Sequence, residues 1–161
     1  MHTISILVSN NPGVLSRISA IFARRGYNID SLVVSAALDG RFSRMTITAG
    51  GDPETLDQII KQVAKLIDVI HASEHDPTTT IEKELALIKV KLTDKTRSDI
   101  LQIVTHYHTA QTIDITDKTV LIQVTGDTKE VDLCIESVKS YGILEIVRTG
   151  KVLMNRGQDE T

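Results

Sequence analysis

Apolar and polar positions in the N-terminal half of the chain follow two periods, one typical of strands and one typical of helices. Strict alternation begins near Ile4, whereas the apolar residues from Val14 to Phe22 recur at helical spacing. The Asp39-Gly40 pair between two alternating runs is typical of a hairpin turn. In order, the pattern predicts a strand at Ile4–Val8, a helix at Val14–Phe22, strands at Asn28–Leu38 and Phe42–Ala49, a helix at Leu56–Ile67 and a strand at Asp68–Ser73.

The C-terminal half repeats this order of elements without repeating the sequence motifs. Its first strand-to-helix turn reads Thr93-Asp94-Lys95-Thr96, which has no proline or glycine. We therefore expect the two halves to have the same topology and different roles. The predicted elements are a strand at Glu84–Leu92, a helix at Ile100–Tyr107, strands at Thr112–Ile115 and Thr119–Thr125, a helix at Val131–Val138 and a strand ending at Val147.

This order predicts an α+β protein with two ferredoxin-like βαββαβ domains in tandem. Pro77 and the threonines after it have the composition of a linker. We place the first domain at residues 1–76, the linker at 77–83 and the second domain at 84–161, with a tail from Gly150 to Thr161 that frays. The predicted helices cover one face of the first sheet. Ser5, Leu7 and Val33 on the other face suggest either burial against a second copy of the sheet or edge-to-edge pairing.

Composition narrows the possible classes of protein. The 161 residues carry a net charge of −3 and only 3% aromatic residues, which disfavours nucleic-acid binding through a basic stripe or a stacking platform. The apolar runs are too short to span a membrane. Met1-His2-Thr3 leads into the first strand without a signal-peptide pattern, so we expect a cytoplasmic protein.

The turn after the first strand is the most informative local motif. Two asparagines precede the predicted helix, and either can cap it, with Pro12 in the first helical turn. Free N–H groups there, together with the helix dipole, favour a bound carboxylate, and an asparagine oxygen can accept from an ammonium group. The alternative to a ligand-binding turn is an ordinary capped helix that follows a tight strand-to-helix turn. The motif runs Asn10-Asn11-Pro12-Gly13-Val14-Leu15.

Catalytic motifs are weak throughout the sequence. Cys134 lies in an apolar helical pattern and is better explained as a core residue than as a nucleophile. The pairs His71/His75 and His106/His108 have no obvious third ligand. We therefore expect no catalytic residue and no metal site.

Beyond these local patterns, the motif from Asn10 to Arg17, with Arg25–Leu32 and Ser43–Ile47, closely resembles the regulatory (small) subunit of acetohydroxyacid synthase, also called acetolactate synthase. The resemblance covers essentially the whole chain. It implies an N-terminal ACT domain that forms a homodimer and binds a feedback inhibitor, valine or a related branched-chain amino acid, at the dimer interface. The effector-binding residues implied by position are Asn10, Gly13, Val14 and Leu15, with Asn28 and Ile29 approaching from the facing subunit.

The same resemblance implies that the chain is not itself an enzyme. Its partner is expected to be the catalytic large subunit, which would carry thiamine diphosphate, Mg²⁺ and FAD, whereas this chain would hold no cofactor. Members of the family raise the activity of the catalytic subunit and make it sensitive to the effector. Two alternatives are a free-standing ACT-domain regulator that senses amino acids and a small metal-dependent enzyme that uses the histidines.

Overall fold

The structure is a computed structural model that describes residues 1–157 and 161. The chain folds into two compact units, one formed by Met1–Ile81 with Gly150–Thr161 and the other by Glu82–Thr149. Each unit has the β-α-β-β-α-β order and an antiparallel sheet, which confirms the predicted α+β class with two βαββαβ domains.

The N-terminal unit is built on an antiparallel sheet in the order β2-β3-β1-β4. The central strand β1 pairs with β3 on one side and with β4 on the other. Both helices lie on one face and bury apolar side chains against it, including Ile18, Phe22 and Leu56. The elements are β1 (His2–Ser9), α1 (Val14–Arg24), β2 (Ile29–Ala36), β3 (Phe42–Ala49), α2 (Pro53–Val63) and β4 (Val69–Glu74).

The second unit has the strand order β6-β7-β5-β8. Its second helix begins with a capping box, in which the Asp127 side chain accepts from Glu130 N–H and the Glu130 side chain accepts from Asp127 N–H. The elements that follow β4 in the chain are β5 (Thr80–Lys91), α3 (Arg97–His106), β6 (Ala110–Ile115), β7 (Thr119–Gly126), α4 (Thr128–Lys139), β8 (Ile143–Arg148) and β9 (Val152–Asn155). Strand β5 begins in the first unit, and β9, which pairs with β5, belongs to the first unit.

The unit boundaries differ from the predicted domains 1–76, 77–83 and 84–161. Strand β5 begins at Thr80, inside the predicted linker, and Thr80 is only 2% exposed. The segment predicted to fray as part of the second domain belongs to the first unit. It contains β9, and Leu153 in that strand is buried. The part of that predicted tail at 158–160 lies outside the described residues.

The sheet face of the N-terminal unit that points away from the helices is polar and buried. Thr46 and Thr48 on β3 are 5% and 3% exposed. The hydroxyls of Ser31 and Thr48 lie 2.5 Å apart and satisfy each other across two strands. Ser5 on the same face is 2% exposed in the single chain, so the burial against a second copy predicted from Ser5, Leu7 and Val33 is not needed at Ser5.

Residues near the C-terminus contact this polar face. A Cβ placed on Gly150 would lie 2.5 Å from the Cβ of Ser31, so the backbone approaches more closely than a side chain allows. Arg44 on β3 donates to the carbonyl oxygen of Thr161. The first unit is therefore completed by residues from both ends of the chain.

No helix in the described residues is long and apolar enough to cross a membrane.

Alanine at Gly150 should destabilise the protein more than alanine at Gly157. Both glycines have positive φ, 83° and 76°, so both substitutions incur backbone strain, but only Gly150 faces Ser31 at contact distance. We expect Gly150→Ala to lower the free energy of unfolding by about 1–3 kcal/mol more than Gly157→Ala, as an overpacked contact does. Urea unfolding followed by circular dichroism measures both, and equal losses would contradict the close packing.

Candidate functional site

The turn between β1 and α1 takes its shape from a proline-glycine pair. Gly13 has φ 83° and ψ −4°, the dihedral angles of the third residue of a type II turn, and Val14 N–H donates to Asn11 O at 3.4 Å across that turn. Helix α1 therefore begins at Val14 with Gly13 as its N-cap and no side-chain cap. The prediction that an asparagine caps the helix, with Pro12 inside it, was wrong, because the turn comes before the first helical residue.

The absence of a side-chain cap leaves donors available at the start of α1. The N–H of Arg17 donates to Gly13 O at 3.1 Å, so the helical bonding pattern begins at that residue. In the part of the chain that the structure describes, no backbone carbonyl accepts from the N–H groups of Leu15 and Ser16. Their partial positive charges, with the helix dipole, favour an anionic oxygen at this position.

Asn10 connects the turn to the β2–β3 hairpin. Its N–H donates to Arg41 O at 2.8 Å, and its side-chain Nδ2 donates to Gly40 O at 3.1 Å. This orientation is defined because the amide nitrogen has an acceptor, so the Oδ1 atom is the group that can accept from a ligand. The geometry suits contact with an ammonium group.

The two apolar residues at the start of α1 have different environments. Val14 is 3% exposed and belongs to the core of the unit, whereas Leu15 is 41% exposed. Val14 and Leu15 are both predicted effector-binding residues, but only Leu15 can offer its side chain to a ligand. Val14 contributes the backbone that shapes the turn. Sequence periodicity alone did not separate these two roles.

An ion pair beneath the turn was not predicted from the sequence. Arg17 Nη2 lies 2.5 Å from Asp68 Oδ2, and Asn11 Nδ2 donates to Asp68 Oδ1 at 3.4 Å. Asp68 precedes β4, and its side chain is 12% exposed. The Arg17 guanidinium, helped by the Asn11 amide, holds the pKa of Asp68 below the ordinary carboxyl range.

Asn28 and Ile29, the other predicted effector-binding residues, lie where β2 begins. Asn28 is exposed, and its Nδ2 donates to Asp30 Oδ1 at 3.3 Å. Ile29 pairs with Ala49 at the end of β3, and the same Ala49 pairs with His2 at the start of β1. These two residues are therefore at the end of the sheet where β1 starts.

Within one chain the predicted site residues fall into two separate groups. The Asn10–Leu15 group follows the last residue of β1, and the Asn28–Ile29 group lies beside the first. Strand β1 has eight residues, and such a strand is about 25 Å long at roughly 3.3 Å per residue. A bound amino acid is much shorter than this distance, so one chain alone cannot contact it with both groups.

Cys134 and His75 are two of the side chains that the sequence offered for catalysis or metal binding. Cys134 is fully buried in the second core, and burial raises the pKa of its thiol. Ser5 Oγ lies 2.5 Å from His75 Nε2, inside the first unit. Among the described residues, no three histidine, cysteine or acidic side chains are close enough together to hold a metal ion.

Fold and turn geometry together define an ACT-type domain followed by a second βαββαβ unit. Residues 4–71 match a family described as "AHAS small subunit-like ACT domain", and residues 83–157 match one described as "Small subunit of acetolactate synthase". The two matches together span nearly the whole chain. The chain belongs to the acetolactate synthase small subunit family.

Individual relatives agree with this assignment. A probable acetolactate synthase small subunit from Archaeoglobus fulgidus is 43% identical over 156 residues, which is 97% of each chain. The acetolactate synthase small subunit of Mycobacterium leprae is 40% identical over 156 residues, 97% of this chain and 92% of that one. The crystal structure of the small subunit from Thermotoga maritima is 37% identical, with a TM-score of 0.88 over 98% of each chain.

The Asp68 carboxylate should stabilise the protein in a pH-dependent way. Because its folded pKa is lowered, its contribution is complete above the unfolded value of about 3.9 and is lost as pH falls through the lower folded value. We expect Asp68→Asn to lower the urea midpoint at pH 7 and to differ less from the native chain at pH 3. Asp57→Asn, which removes an exposed helical ion pair with Lys61, should change the midpoint little at either pH. A deficit of Asp68→Asn that is the same at pH 7 and pH 3 would contradict this electrostatic origin.

Proposed function

We propose that this chain is the non-catalytic regulatory subunit of an acetolactate synthase, which raises the activity of the catalytic large subunit and makes it sensitive to valine. Membership of the small-subunit family over the whole chain supports the partner. Cys134 is fully buried in the core of the second unit, so its thiol cannot reach a substrate, which fits a regulatory role. In this proposal thiamine diphosphate, Mg²⁺ and FAD belong to the catalytic partner.

The observation that carries the regulatory proposal is the separation of the two predicted groups of site residues. A ligand can contact both groups only if the second group comes from another copy of the chain. Two copies related by a two-fold axis would build two equivalent sites, each with a turn from one copy and Asn28 from the other. We therefore propose a homodimer through the ACT domain.

Strand β2 is a suitable edge for this dimer. It is an outer strand of its sheet, and Val34 on it is 43% exposed. Two copies of β2 paired antiparallel would place the start of one strand, next to Asn28, beside the end of the other, next to Ala36. Ala36 and the turn at Asn10 lie at the same end of the sheet, because Ala36 pairs with Ser43 and Ser43 pairs with Val8.

The carboxylate, the ammonium group and the side chain of a bound amino acid would then each contact a suitable group of the protein. The carboxylate would accept from the N–H groups of Leu15 and Ser16, and the ammonium would donate to the Oδ1 of Asn10. The side chains of Leu15 and Ile29 would border the branched apolar side chain. Valine suits such a site because its short side chain can be buried without leaving a polar group unpaired.

Inhibition by valine would follow from linkage between binding and assembly. An effector shifts an equilibrium only by its differential affinity for two states. Valine bound between two copies would favour one arrangement of the ACT dimer, and the catalytic subunit attached to that arrangement would lose the gain in activity. The regulatory chain needs no catalytic group for this effect.

A reconstitution assay tests the proposed partner and effector together. The purified chain is added to the cognate acetolactate-forming catalytic subunit, and valine, leucine and isoleucine are titrated by calorimetry and by activity. We expect the chain to raise the rate and valine to reverse that gain. No heat with any of the three amino acids and no change in rate would contradict the proposed function.

A mixing experiment tests whether the site is shared between two copies. Asn10→Ala and Asn28→Ala should each abolish valine binding, because each removes a polar contact from every site. Random pairing in an equal mixture makes half of the dimers mixed, and each mixed dimer has one intact site of two, so about one quarter of native binding should return. No recovery on mixing, with both variants folded and dimeric, would show that both residues act within one chain.

A further inference from the structure

Arg17 extends its guanidinium back toward the β1–α1 turn. Its Nη2 atom is paired with Asp68, and its Nη1 atom lies on the side of Gly13. A Cβ placed on Gly13 would be 3.2 Å from Nη1, so the guanidinium lies directly beside the glycine backbone. The Arg17 side chain is 47% exposed, and solvent or a ligand can therefore reach it.

Asp68 holds the Arg17 guanidinium in this orientation through the ion pair. Its carboxylate binds both Arg17 and the Asn11 side chain, and its backbone oxygen accepts from Ser9 N–H at 2.7 Å. Ser9 and Asn11 before the helix and Arg17 within it are thus all bonded to one nearly buried residue, Asp68. A charge-assisted pair at 2.5 Å restricts the arginine far more than an exposed surface pair does.

We propose that Arg17 recognises the carboxylate of the amino-acid effector and that Asp68 is the positioning residue that holds Arg17 in place. This inference rests on the proposed function, because it assigns a further residue to the same effector site. Backbone N–H groups donate to a carboxamide oxygen nearly as readily as to a carboxylate oxygen. A guanidinium adds a full positive charge with several donors, which favours the ionised ligand.

The same arrangement gives a reason for glycine at position 13. Its φ of 83° already favours glycine, and any side chain there would also occupy the space beside Nη1. A larger residue would displace the guanidinium from the turn or fill the volume that the ligand carboxylate needs. Gly13 and Arg17 are one helical turn apart and face the same small volume.

Arg24 provides a matched control for Arg17. It lies seven residues further along α1, on the same helix face, and borders the same groove between α1 and α2. In the described residues it forms no ion pair with an acidic side chain. Arg24→Gln removes the same charged group from the same helix as Arg17→Gln, but at a residue that is not near the β1–α1 turn.

The test compares valine with valinamide, which lacks the carboxylate charge, in calorimetric titrations of the full chain. The native chain should prefer valine by at least about tenfold, and Arg17→Gln should lose most of that preference through about tenfold weaker valine binding. Arg24→Gln should keep both affinities. Added salt should weaken valine binding to the native chain more than to Arg17→Gln.

The outcomes separate this inference from the function on which it rests. A native chain that binds neither ligand contradicts the proposed function itself. A native chain that binds valine, with an unchanged valine preference in Arg17→Gln, contradicts only the role of Arg17. If Arg17→Gln fails to fold by circular dichroism, the double variant Arg17→Gln/Asp68→Asn replaces the ion pair with two neutral amides. It must show the same loss of preference for the inference to stand.

Discussion

The central strand β1 constrains the functional geometry of the N-terminal unit. It runs unbroken for eight residues and pairs on both sides, so the two ends of the sheet cannot approach each other. The turn that offers free N–H groups follows one end of this strand, and Asn28 lies beside the other. Any function that uses both groups at once must therefore involve a second chain.

The ion pair between the nearly buried Asp68 and the half-exposed Arg17 holds the turn in place. Asp68 precedes an edge strand, and Arg17 belongs to the first helix, so the pair connects two elements that are distant in sequence. A nearly buried carboxylate is costly unless it is paired and hydrogen-bonded, and here it has both an arginine and an asparagine partner. The turn is thus held rigidly before any ligand binds, which reduces the ordering that binding requires.

The second unit uses the same topology with a different polar core. Glu84 is 5% exposed and is paired with Arg148 at 2.5 Å, and Arg148 also binds Asp132 at 2.7 Å. Its first strand-to-helix turn contains threonines that bond to one another, such as Thr93 N–H to Thr96 Oγ1 at 3.1 Å. The turn that defines the ACT-type unit has no counterpart here, which agrees with separate roles for the two halves.

Periodicity predicted the elements because each helix and strand buries one apolar face, as Ile18 and Phe22 do on α1. The turn was predicted as a possible anion site, but its cap was misassigned, since Pro12-Gly13 suits both a first helical turn and a type II turn. Local patterns could not reveal the Arg17–Asp68 pair or the contact of Gly150 with Ser31, because these residues are far apart in sequence. The polar residues near the C-terminus suggested a frayed tail because their contacts, too, are with residues far away in the sequence.

The sharing of the effector site between two copies is tested most directly by sedimentation of the full chain over a range of concentrations, with and without valine. A shared site predicts two valines bound per dimer and a dimer dissociation constant that falls as valine is added, because only the dimer binds the ligand. Dilute monomeric chain that binds valine with the same affinity as the dimer would contradict it.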